Sequence, residues 1–296
     1  MKFTNKLDLP QPIVDAVMAD PYSKGASDFS VTELIKPAYQ CRLIRDHYDE
    51  ITVDVSERFF SLLGQLTHLV LERTQHTAAD YITEKRYFAK IDGCTISGQA
   101  DVFFPKPGLL QDYKLTSVWK IVHQGYDDWI AQLNMLRRLM AHNGLKVERQ
   151  QIVALLRDRD KKKAKLERSY PQQDMVVVDM PLWTEDSLTA YMSARVMFHR
   201  EARDAKELAE VPPCTPEECW ATETTWAIKK KGATRAINGG VFPTQEAAEE
   251  KLKEVGASSH VVEYRPGFRR RCADYCDGSE FCPHWARIKQ ENAGSF

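Results

Sequence analysis

The chain has no long apolar run, no secretory leader pattern and no surplus of charge of either sign. None of its apolar segments approaches the roughly 18 to 20 residues that span a bilayer, which excludes a transmembrane helix. Residues 1–20, MKFTNKLDLPQPIVDAVMAD, lack an apolar h-region and a small-residue cleavage site, so we expect a cytoplasmic protein with no membrane partner. With 41 Lys and Arg against 42 Asp and Glu, the formal net charge is -1, and the overall balance does not indicate a nucleic-acid partner.

Composition excludes the disordered and collagen-like classes. The 296 residues are 43% hydrophobic and 28% charged, with a mean hydropathy of -0.46, values typical of globular proteins. At roughly 150 residues per domain, the length allows one large domain or two small ones and excludes a disulfide-stapled miniprotein. The sequence contains no internal repeat and no low-complexity segment.

Charge and cysteine are unevenly distributed along the chain. Basic residues gather at 157–168, 229–235 and 265–271, although each run taken singly is typical of a solvated loop or helix face. The seven cysteines are an odd number, and Cys272, Cys276 and Cys282 lie in one short stretch. In a cytosolic chain this crowding favours a metal centre over disulfides.

The first half of the chain changes from helical to strand-like patterning. Apolar residues recur at helical spacing between Val31 and Glu72, which predicts two helices with a break or end near Pro37. Three alternating segments follow, separated by turn residues such as Asp92-Gly93. They predict three consecutive antiparallel strands: YITEKRYFAKI, CTISGQADVFF and LLQDYKLTSVW.

The second half predicts a helix at about 126–142 closed by Asn143-Gly144, two strands in QIVALLRD and MVVVDMPL, and a long helix capped by Thr184 that reaches about Glu210. After Pro212-Pro213 the composition shifts, and the pattern predicts a small β-β-α-β unit. We therefore divide the chain into four parts: an N-terminal extension (1–29), a core (30–212), an inserted module (213–266) and a C-terminal cysteine strap (267–296).

Asp101, Asp112 and Lys114 are the residues most suited to chemistry. The two acids lie on neighbouring predicted strands, and Lys114 shares a strand face with Asp112 because alternate strand residues point the same way. Carboxylates are the ligands that Mg²⁺ and Mn²⁺ prefer, and a nearby ammonium stabilises charge on a phosphate. Taken alone, the Asp-x-Lys pattern is equally typical of a solvent-facing strand.

The context of this motif resembles the PD-(D/E)XK nuclease superfamily, in its RecB-like and phage recombination exonuclease branch. Four features occur in the family's order, on the helix, strand, strand and helix that carry them there: Gly64-x-x-x-His68, Gly98-x-x-Asp101, Asp112-x-Lys114 followed by Thr116, and Gln132-Leu-Asn. The resemblance covers about residues 30–160. It implies an α/β fold with the restriction-endonuclease-like αβββαβ core.

The resemblance also implies roles for individual residues. His68, Asp101 and Asp112 would bind Mg²⁺ or Mn²⁺, Lys114 would be the catalytic lysine, and Gln132 would orient the lysine or the substrate strand. Glu72, one helical turn after His68, would support the site as a neighbour. One position departs from the family, since RecB-like members usually carry Gln-x-x-x-Tyr on the last helix and this chain has Leu136 at the tyrosine position.

The cysteine trio requires a fourth ligand, because both a [4Fe-4S] cluster and a zinc ion bind four soft ligands. We favour Cys214, which lies at the other foot of the inserted module. Cys41 is the alternative, because iron–sulfur RecB-like nucleases take one cysteine upstream of the Gly-x-x-x-His motif, usually followed by proline, whereas Arg42 follows here. Cys94 and Cys219 are interpreted as ordinary residues, and His284 as a spare ligand. An iron–sulfur cluster is the first expectation and Zn²⁺ the alternative.

The inserted module mixes aromatic and basic residues around a predicted hairpin. Such a mixture is typical of surfaces that track a DNA backbone or stack a base, and it is equally compatible with a cap over the metal centre. The candidate DNA-binding residues are Lys229, Lys230, Lys231, Arg235, Arg269 and Arg270, with Trp220 and Trp226 as the aromatic members.

These observations together predict a Mg²⁺- or Mn²⁺-dependent deoxyribonuclease, an exonuclease in DNA recombination or repair. Its partners would be linear duplex or single-stranded DNA and recombination proteins. The alternative is a catalytically idle nuclease fold that binds DNA ends or a protein partner. A zinc-ribbon-like interaction protein would explain the cysteines but not the acids.

Overall fold

The computed structural model describes residues 1–19, 23–73 and 80–293. The chain divides into two compact units, residues 1–41 with 48–210 and residues 42–47 with 211–296. Within the described residues, no helix has the length and apolar character needed to cross a bilayer.

Unit 1 is a mixed α/β structure. Its strands are β1 (Lys2–Thr4), β2 (Phe29–Ser30), β3 (Thr52–Asp54), β4 (Ile82–Ile91), β5 (Cys94–Phe104), β6 (Leu109–Thr116), β7 (Arg149–Leu156) and β8 (Met175–Met180). Its helices are α1 (Gln11–Met18), α2 (Val31–Ile35), α3 (Ala38–Asp46), α4 (Phe59–Glu72), α5 (Val118–Val122), α6 (Asp127–His142), α7 (Lys161–Leu166) and α8 (Glu185–Asp204), of which α3 continues into unit 2.

The central sheet has the order β2-β5-β6-β7-β8, with β4 paired to β5. Strands β4, β5 and β6 are antiparallel neighbours, which confirms the predicted three-strand meander. Strand β7 lies parallel to β6, because α6 carries the chain back along the sheet between them, and β8 is antiparallel to β7. A separate parallel pair joins β1 to β3.

Local chemistry accounts for the ends of several elements. Ser30 and Glu33 form a capping box that starts α2, and the chain breaks at Pro37 before α3, as predicted. Thr184 caps α8, also as predicted, but the helix ends at Asp204 because Ala205 is extended. Asp92 and Gly93 both have positive φ, which gives the tight turn between β4 and β5.

Helix α6 covers one face of the sheet and supplies much of the core. Leu133, Met135, Leu136 and Leu139 on this helix are all at most 1% exposed. The helix approaches β5 at Gly98, where an added Cβ would lie 2.5 Å from Leu136 Cδ2. Gly98 therefore allows close helix–sheet contact, and Leu136 belongs to the core.

Unit 2 contains β9 (Thr225–Lys230), β10 (Ala236–Phe242), α9 (Gln245–Val255), β11 (His260–Arg265), α10 (Arg270–Asp274) and α11 (Pro283–Ala293). Its three strands form an antiparallel sheet in the order β10-β9-β11. The element order confirms the predicted β-β-α-β module. Thr244 caps α9, and Ala248 of this helix is fully buried.

Candidate functional site

Four elements of unit 1 bring the predicted catalytic residues together. His68 lies on α4, Asp101 on β5, Asp112 and Lys114 on β6, and Gln132 on α6. The ladder between β5 and β6 ends at the pair Val102–Gln111, so the strands separate where the two aspartates lie. Asp101 instead accepts a 2.8 Å hydrogen bond from the amide of Tyr113. The side chain of Glu72 lies outside the described residues.

His68, Glu84 and Asp101 form a compact set of metal-ligating groups. His68 Nδ1 lies 3.0 Å from Glu84 Oε1 and 3.7 Å from Asp101 Oδ1. One ligand atom of each of the three residues lies within 4.8 Å of the other two, close enough for all three to bind one metal ion. Two carboxylates and an imidazole are suitable ligands for Mg²⁺ or Mn²⁺.

Glu84 is a site residue that the sequence motifs did not indicate. Its φ of 50° interrupts β4 between Thr83 and Lys85, which pair with Val102 and Ala100. Residue 84 therefore stands opposite Asp101 in the hairpin register. Counting outward from the Asp92-Gly93 turn gives the same pairing, so the signal was present in the sequence. Backbone strain of this kind concentrates at functional sites.

A short chain of hydrogen bonds orients Glu84. Gln99 Nε2 donates a 2.6 Å hydrogen bond to Glu84 Oε2, and Arg86 Nη2 donates a 3.0 Å hydrogen bond to Gln99 Oε1. One oxygen of Glu84 thus contacts His68 while the other is held by Gln99. Such neighbouring hydrogen bonds fix the orientation of a metal-binding carboxylate.

Asp112 lies beside this set and has two partners of its own. Lys114 Nζ is 2.7 Å from Asp112 Oδ2, and Gln132 Nε2 donates a 2.9 Å hydrogen bond to Asp112 Oδ1. Asp112 is 1% exposed, whereas the side chain of Lys114 is 26% exposed. The lysine is therefore anchored by a buried carboxylate while part of it faces solvent.

The charges of the site shift its titration. Burial and the neighbouring Asp112 carboxylate raise the pKa of Asp101 to about 7, against the opposing effect of Lys114 and His68. Burial acts to lower the pKa of Lys114, but the Asp112 and Asp101 carboxylates outweigh it and the pKa is raised. The hydrogen bond to Glu84 raises the pKa of His68, although burial opposes it. Neighbouring carboxylates contribute to all three shifts, and a divalent cation would neutralise this negative charge.

A thiol cluster lies in unit 2. Cys219 Sγ lies 3.8 Å from the carbonyl oxygen of Cys214, to which the thiol can donate, and 3.7 Å from Arg269 Nη1. The neighbouring side chains of Cys214 and Cys272, with the Arg269 cation, lower the pKa of Cys219 to about 3, and Cys219 in turn raises the pKa values of Cys214 and Cys272. Electrostatic repulsion from Cys276 and Cys282 also contributes to the raised pKa of Cys272. Cys219, interpreted as an ordinary residue from the sequence, therefore belongs to this cluster.

Cys41 and Cys94 lie in unit 1, and His284 lies in unit 2. Cys94 is 5% exposed and packs in the core of unit 1. Cys41 on α3 lies 3.9 Å from the carbonyl oxygen of Glu33. His284 lies on α11. None of the seven cysteines, all of which lie within the described residues, forms a disulfide.

The candidate DNA-binding residues of unit 2 have different environments. Lys230, Lys231, Arg235 and Arg270 are exposed. Lys229 pairs with Glu263 across β9 and β11, and Arg269 faces the thiol cluster.

Comparison with known proteins gives distant structural similarities. No protein-family model matches the chain, and no curated protein matches it. The solved structure of SSO0001 is 15% identical, covers 64% of this chain and 86% of its own, and has a TM-score of 0.44. A phage related exonuclease from Haemophilus somnus 129PT is 14% identical, covers 66% of this chain and 80% of its own, and has a TM-score of 0.30. The class that the fold itself defines is a mixed α/β protein.

Proposed function

We propose that unit 1 is a divalent-metal-dependent deoxyribonuclease of the PD-(D/E)XK type, an exonuclease acting in DNA recombination or repair. The observation that carries this proposal is the convergence of His68, Glu84 and Asp101 beside the Asp112–Lys114 pair. Apart from the short helix α5 between β6 and α6, the order α4, β4, β5, β6, α6, β7 also agrees with the αβββαβ core expected from the sequence.

The residues present fit Mg²⁺ or Mn²⁺. His68, Glu84 and Asp101 would hold the ion, and Asp112 remains a predicted ligand. The bound metal would polarise the scissile phosphate and lower the pKa of the attacking water. Burying closely spaced carboxylates costs free energy unless a cation neutralises their charge. This cost is a physical reason for the site to bind a metal ion.

Lys114 and Gln132 would act through Asp112. Asp112 holds the ammonium of Lys114 at the partly exposed edge of the site, where it can stabilise negative charge that develops on the phosphate. Gln132 fixes the second oxygen of Asp112 and thereby limits rotation of the carboxylate. A preset ammonium requires no reorganisation when the phosphate charge develops.

The test is incubation of the purified protein with linear and circular DNA, with and without Mg²⁺ or Mn²⁺. We expect metal-dependent loss of linear DNA, intact circular DNA, and no cleavage by the Asp112→Asn variant. Cleavage by Asp112→Asn at the wild-type rate would overturn the nuclease proposal. DNA binding without cleavage would favour the idle nuclease fold.

We also propose that Cys214, Cys272, Cys276 and Cys282 hold a structural [4Fe-4S] cluster in unit 2. Four thiolates are the ligand number and type that both a [4Fe-4S] cluster and a zinc ion require, so the same residues would also serve the Zn²⁺ alternative. The amide of Trp285 donates to Cys282 Sγ at 3.4 Å, a hydrogen bond that would stabilise a bound thiolate.

Anaerobic purification tests this second proposal. Brown protein with broad absorbance near ~400 nm and iron bound to it would support the cluster. Colourless protein with stoichiometric zinc would instead support Zn²⁺ as the bound metal. Fully folded protein free of metal would overturn both.

The exposed basic residues of the inserted module would add DNA affinity through phosphate contacts. Lys230, Lys231 and Arg235 are exposed, so their replacement by glutamate should weaken binding at low salt and reduce its salt dependence. Unchanged affinity and an unchanged salt slope would instead indicate that the module is a cap.

A further inference from the structure

The basic run at 157–168 has no role in the function proposed so far. It holds seven basic and three acidic side chains. In the structure it begins directly after β7, forms α7, and leads toward β8. Because β6 and β7 are parallel, this run starts at the same end of the sheet as the residues that follow Lys114.

The acidic side chains of this run form hydrogen bonds or ion pairs inside unit 1. Asp158 accepts a 2.7 Å hydrogen bond from Ser117 Oγ and a 2.6 Å hydrogen bond from the amide of Val118. Asp160 caps α7, and Arg159 pairs with Asp174 at 2.5 Å. By contrast, Lys162, Lys165 and Arg168 form no ion pair within 4.0 Å among the described residues, and Lys161 has only a longer-range electrostatic interaction with Asp174. The run therefore presents unpaired positive charge to solvent.

Two exposed aromatic rings lie beside this charge. Trp119 is 45% exposed, and Lys163 Nζ lies 4.5 Å from its ring centre. Phe60 is 52% exposed, and the Arg157 guanidinium lies 4.0 Å from its ring centre. Each ring thus keeps about half of its surface in solvent although a cation already contacts it. Exposed aromatic groups that carry cations are typical of surfaces that stack nucleobases.

The rings are connected to the candidate active site through short, ordered segments. The amide of Arg157 donates a 3.0 Å hydrogen bond to the carbonyl of Thr116, which follows Lys114 on β6. Trp119 lies on α5, whose first residues Asp158 holds. Phe60 lies on the same helix as His68, roughly 12 Å away along the helix axis at 1.5 Å per residue.

We propose that Trp119 and Phe60, with Arg157, Lys163 and the cations of α7, form a binding surface for single-stranded DNA that leads into the nuclease site. This inference rests on the proposed nuclease function, which makes a polyanion the natural occupant of a cationic surface at this end of the sheet. The aromatic rings favour a single strand over a duplex, because paired bases are stacked on each other and cannot stack on a side chain.

Binding is measured in EDTA, so that no DNA is cleaved, by the fluorescence anisotropy of a short labelled oligothymidylate and of a blunt hairpin duplex. Trp119→Ala should weaken single-strand binding roughly ten-fold, since base–aromatic stacking contributes about 1–3 kcal/mol per base. Hairpin binding should stay within about two-fold of wild type. Trp119→Leu keeps an apolar side chain against Tyr170 and should show the same selective loss of single-strand binding. This second variant keeps the test valid if Trp119→Ala misfolds.

Phe198→Ala is the matched control. Phe198 is also 45% exposed, but in the described structure no cation lies over its ring, and its replacement should leave both affinities unchanged. Replacing Lys161 and Lys162 by glutamate should reduce the salt slope for the single strand by about 0.7 per lysine. An unchanged salt slope would show that α7 is not part of the DNA-binding surface.

Two results would overturn the proposal: single-strand affinity unchanged in both Trp119 variants, or equal losses for single strand and hairpin. Displacement of the oligonucleotide by polyglutamate in wild type and Trp119→Leu alike would also overturn it and assign the surface to an acidic protein partner. The assay is independent of catalysis. Loss of cleavage with intact single-strand binding would count against the nuclease proposal alone, and unchanged binding in both Trp119 variants with intact cleavage would count against this one alone.

Discussion

Lys114 Nζ lies 2.7 Å from Asp112 Oδ2, and both residues project from the same face of β6. The pair is set by strand geometry, because residues i and i+2 of a strand share a face. Asp112 is almost fully buried and is also held by Gln132, so the ammonium is tied to a rigid anchor. The arrangement makes the lysine, the aspartate and the glutamine interdependent.

Removing either member of this pair should abolish most of the activity. Asp112→Asn keeps the shape of the side chain but removes its charge, and Lys114→Ala removes the ammonium. Each should lower kcat/KM by on the order of 100- to 1,000-fold with little effect on the fold. The double variant should be hardly worse than either single one, since residues that act as a unit are non-additive. Cleavage of labelled linear DNA measures the rates, and circular dichroism checks folding; additive losses would argue against a shared role.

Gln132 should behave as a positioning residue. Gln132→Leu keeps the size of the side chain but removes the hydrogen bond to Asp112. We expect kcat to fall roughly ten-fold with little change in KM, because the amide orients the carboxylate and does not bind DNA. Equal changes in kcat and KM would indicate a direct contact with the substrate. Steady-state kinetics with Mg²⁺ at saturation separates the two.

Glu84 should be required for metal binding. Glu84→Gln removes a charged ligand while keeping a side chain that Gln99 can contact, so Mn²⁺ affinity should fall at least about ten-fold. Isothermal titration with Mn²⁺ in the absence of DNA measures this directly. Glu167→Gln, a change at an exposed acid of the same unit, serves as the control. Wild-type affinity in Glu84→Gln would exclude this residue from the metal site.

The thiol cluster predicts a difference between cysteines. Cys282→Ser should lose bound metal and lower the melting temperature, because ligand binding contributes to folding in such sites. Cys219→Ser should retain the metal if Cys214 is the fourth ligand. Metal lost from Cys219→Ser would place Cys219 in the ligand set. Cys94→Ala, a core change in unit 1, should leave the metal content unchanged. Metal analysis and thermal melts decide among these outcomes.

His199 should make the protein less stable in mild acid. Burial, reinforced by the Arg195 cation, lowers the pKa of His199 to about 4, against an unfolded value of about 6.5. The unfolded state therefore binds more protons between these values, and stability falls as the pH drops from about 6.5 to about 4, by up to about 3 kcal/mol. Thermal melts across this range should show a shallower pH dependence in His199→Gln. The exposed His142, changed in the same way, should leave the wild-type slope unaltered.

Local pattern was sufficient for much of this protein. The hairpin at Asp92-Gly93, the break at Pro37 and the Thr184 cap follow from turn and capping chemistry within a few residues. The spacing of Asp112 and Lys114 needs only the two-residue period of a strand. These features depend on nearest neighbours in the chain, and for that reason they were predictable.

The tertiary structure decided which distant residues meet. Glu84 reaches His68 because strained backbone interrupts β4 opposite Asp101, a local conformation that composition does not specify. Cys219 joins the thiol cluster through contacts with Cys214 and Cys272, the latter more than fifty residues away. Leu136 belongs to the core because Gly98 lets α6 approach the sheet. The hairpin register alone places Glu84 opposite Asp101, but its contact with His68 and the other two outcomes depend on packing between different elements, where periodicity carries no information about the partner.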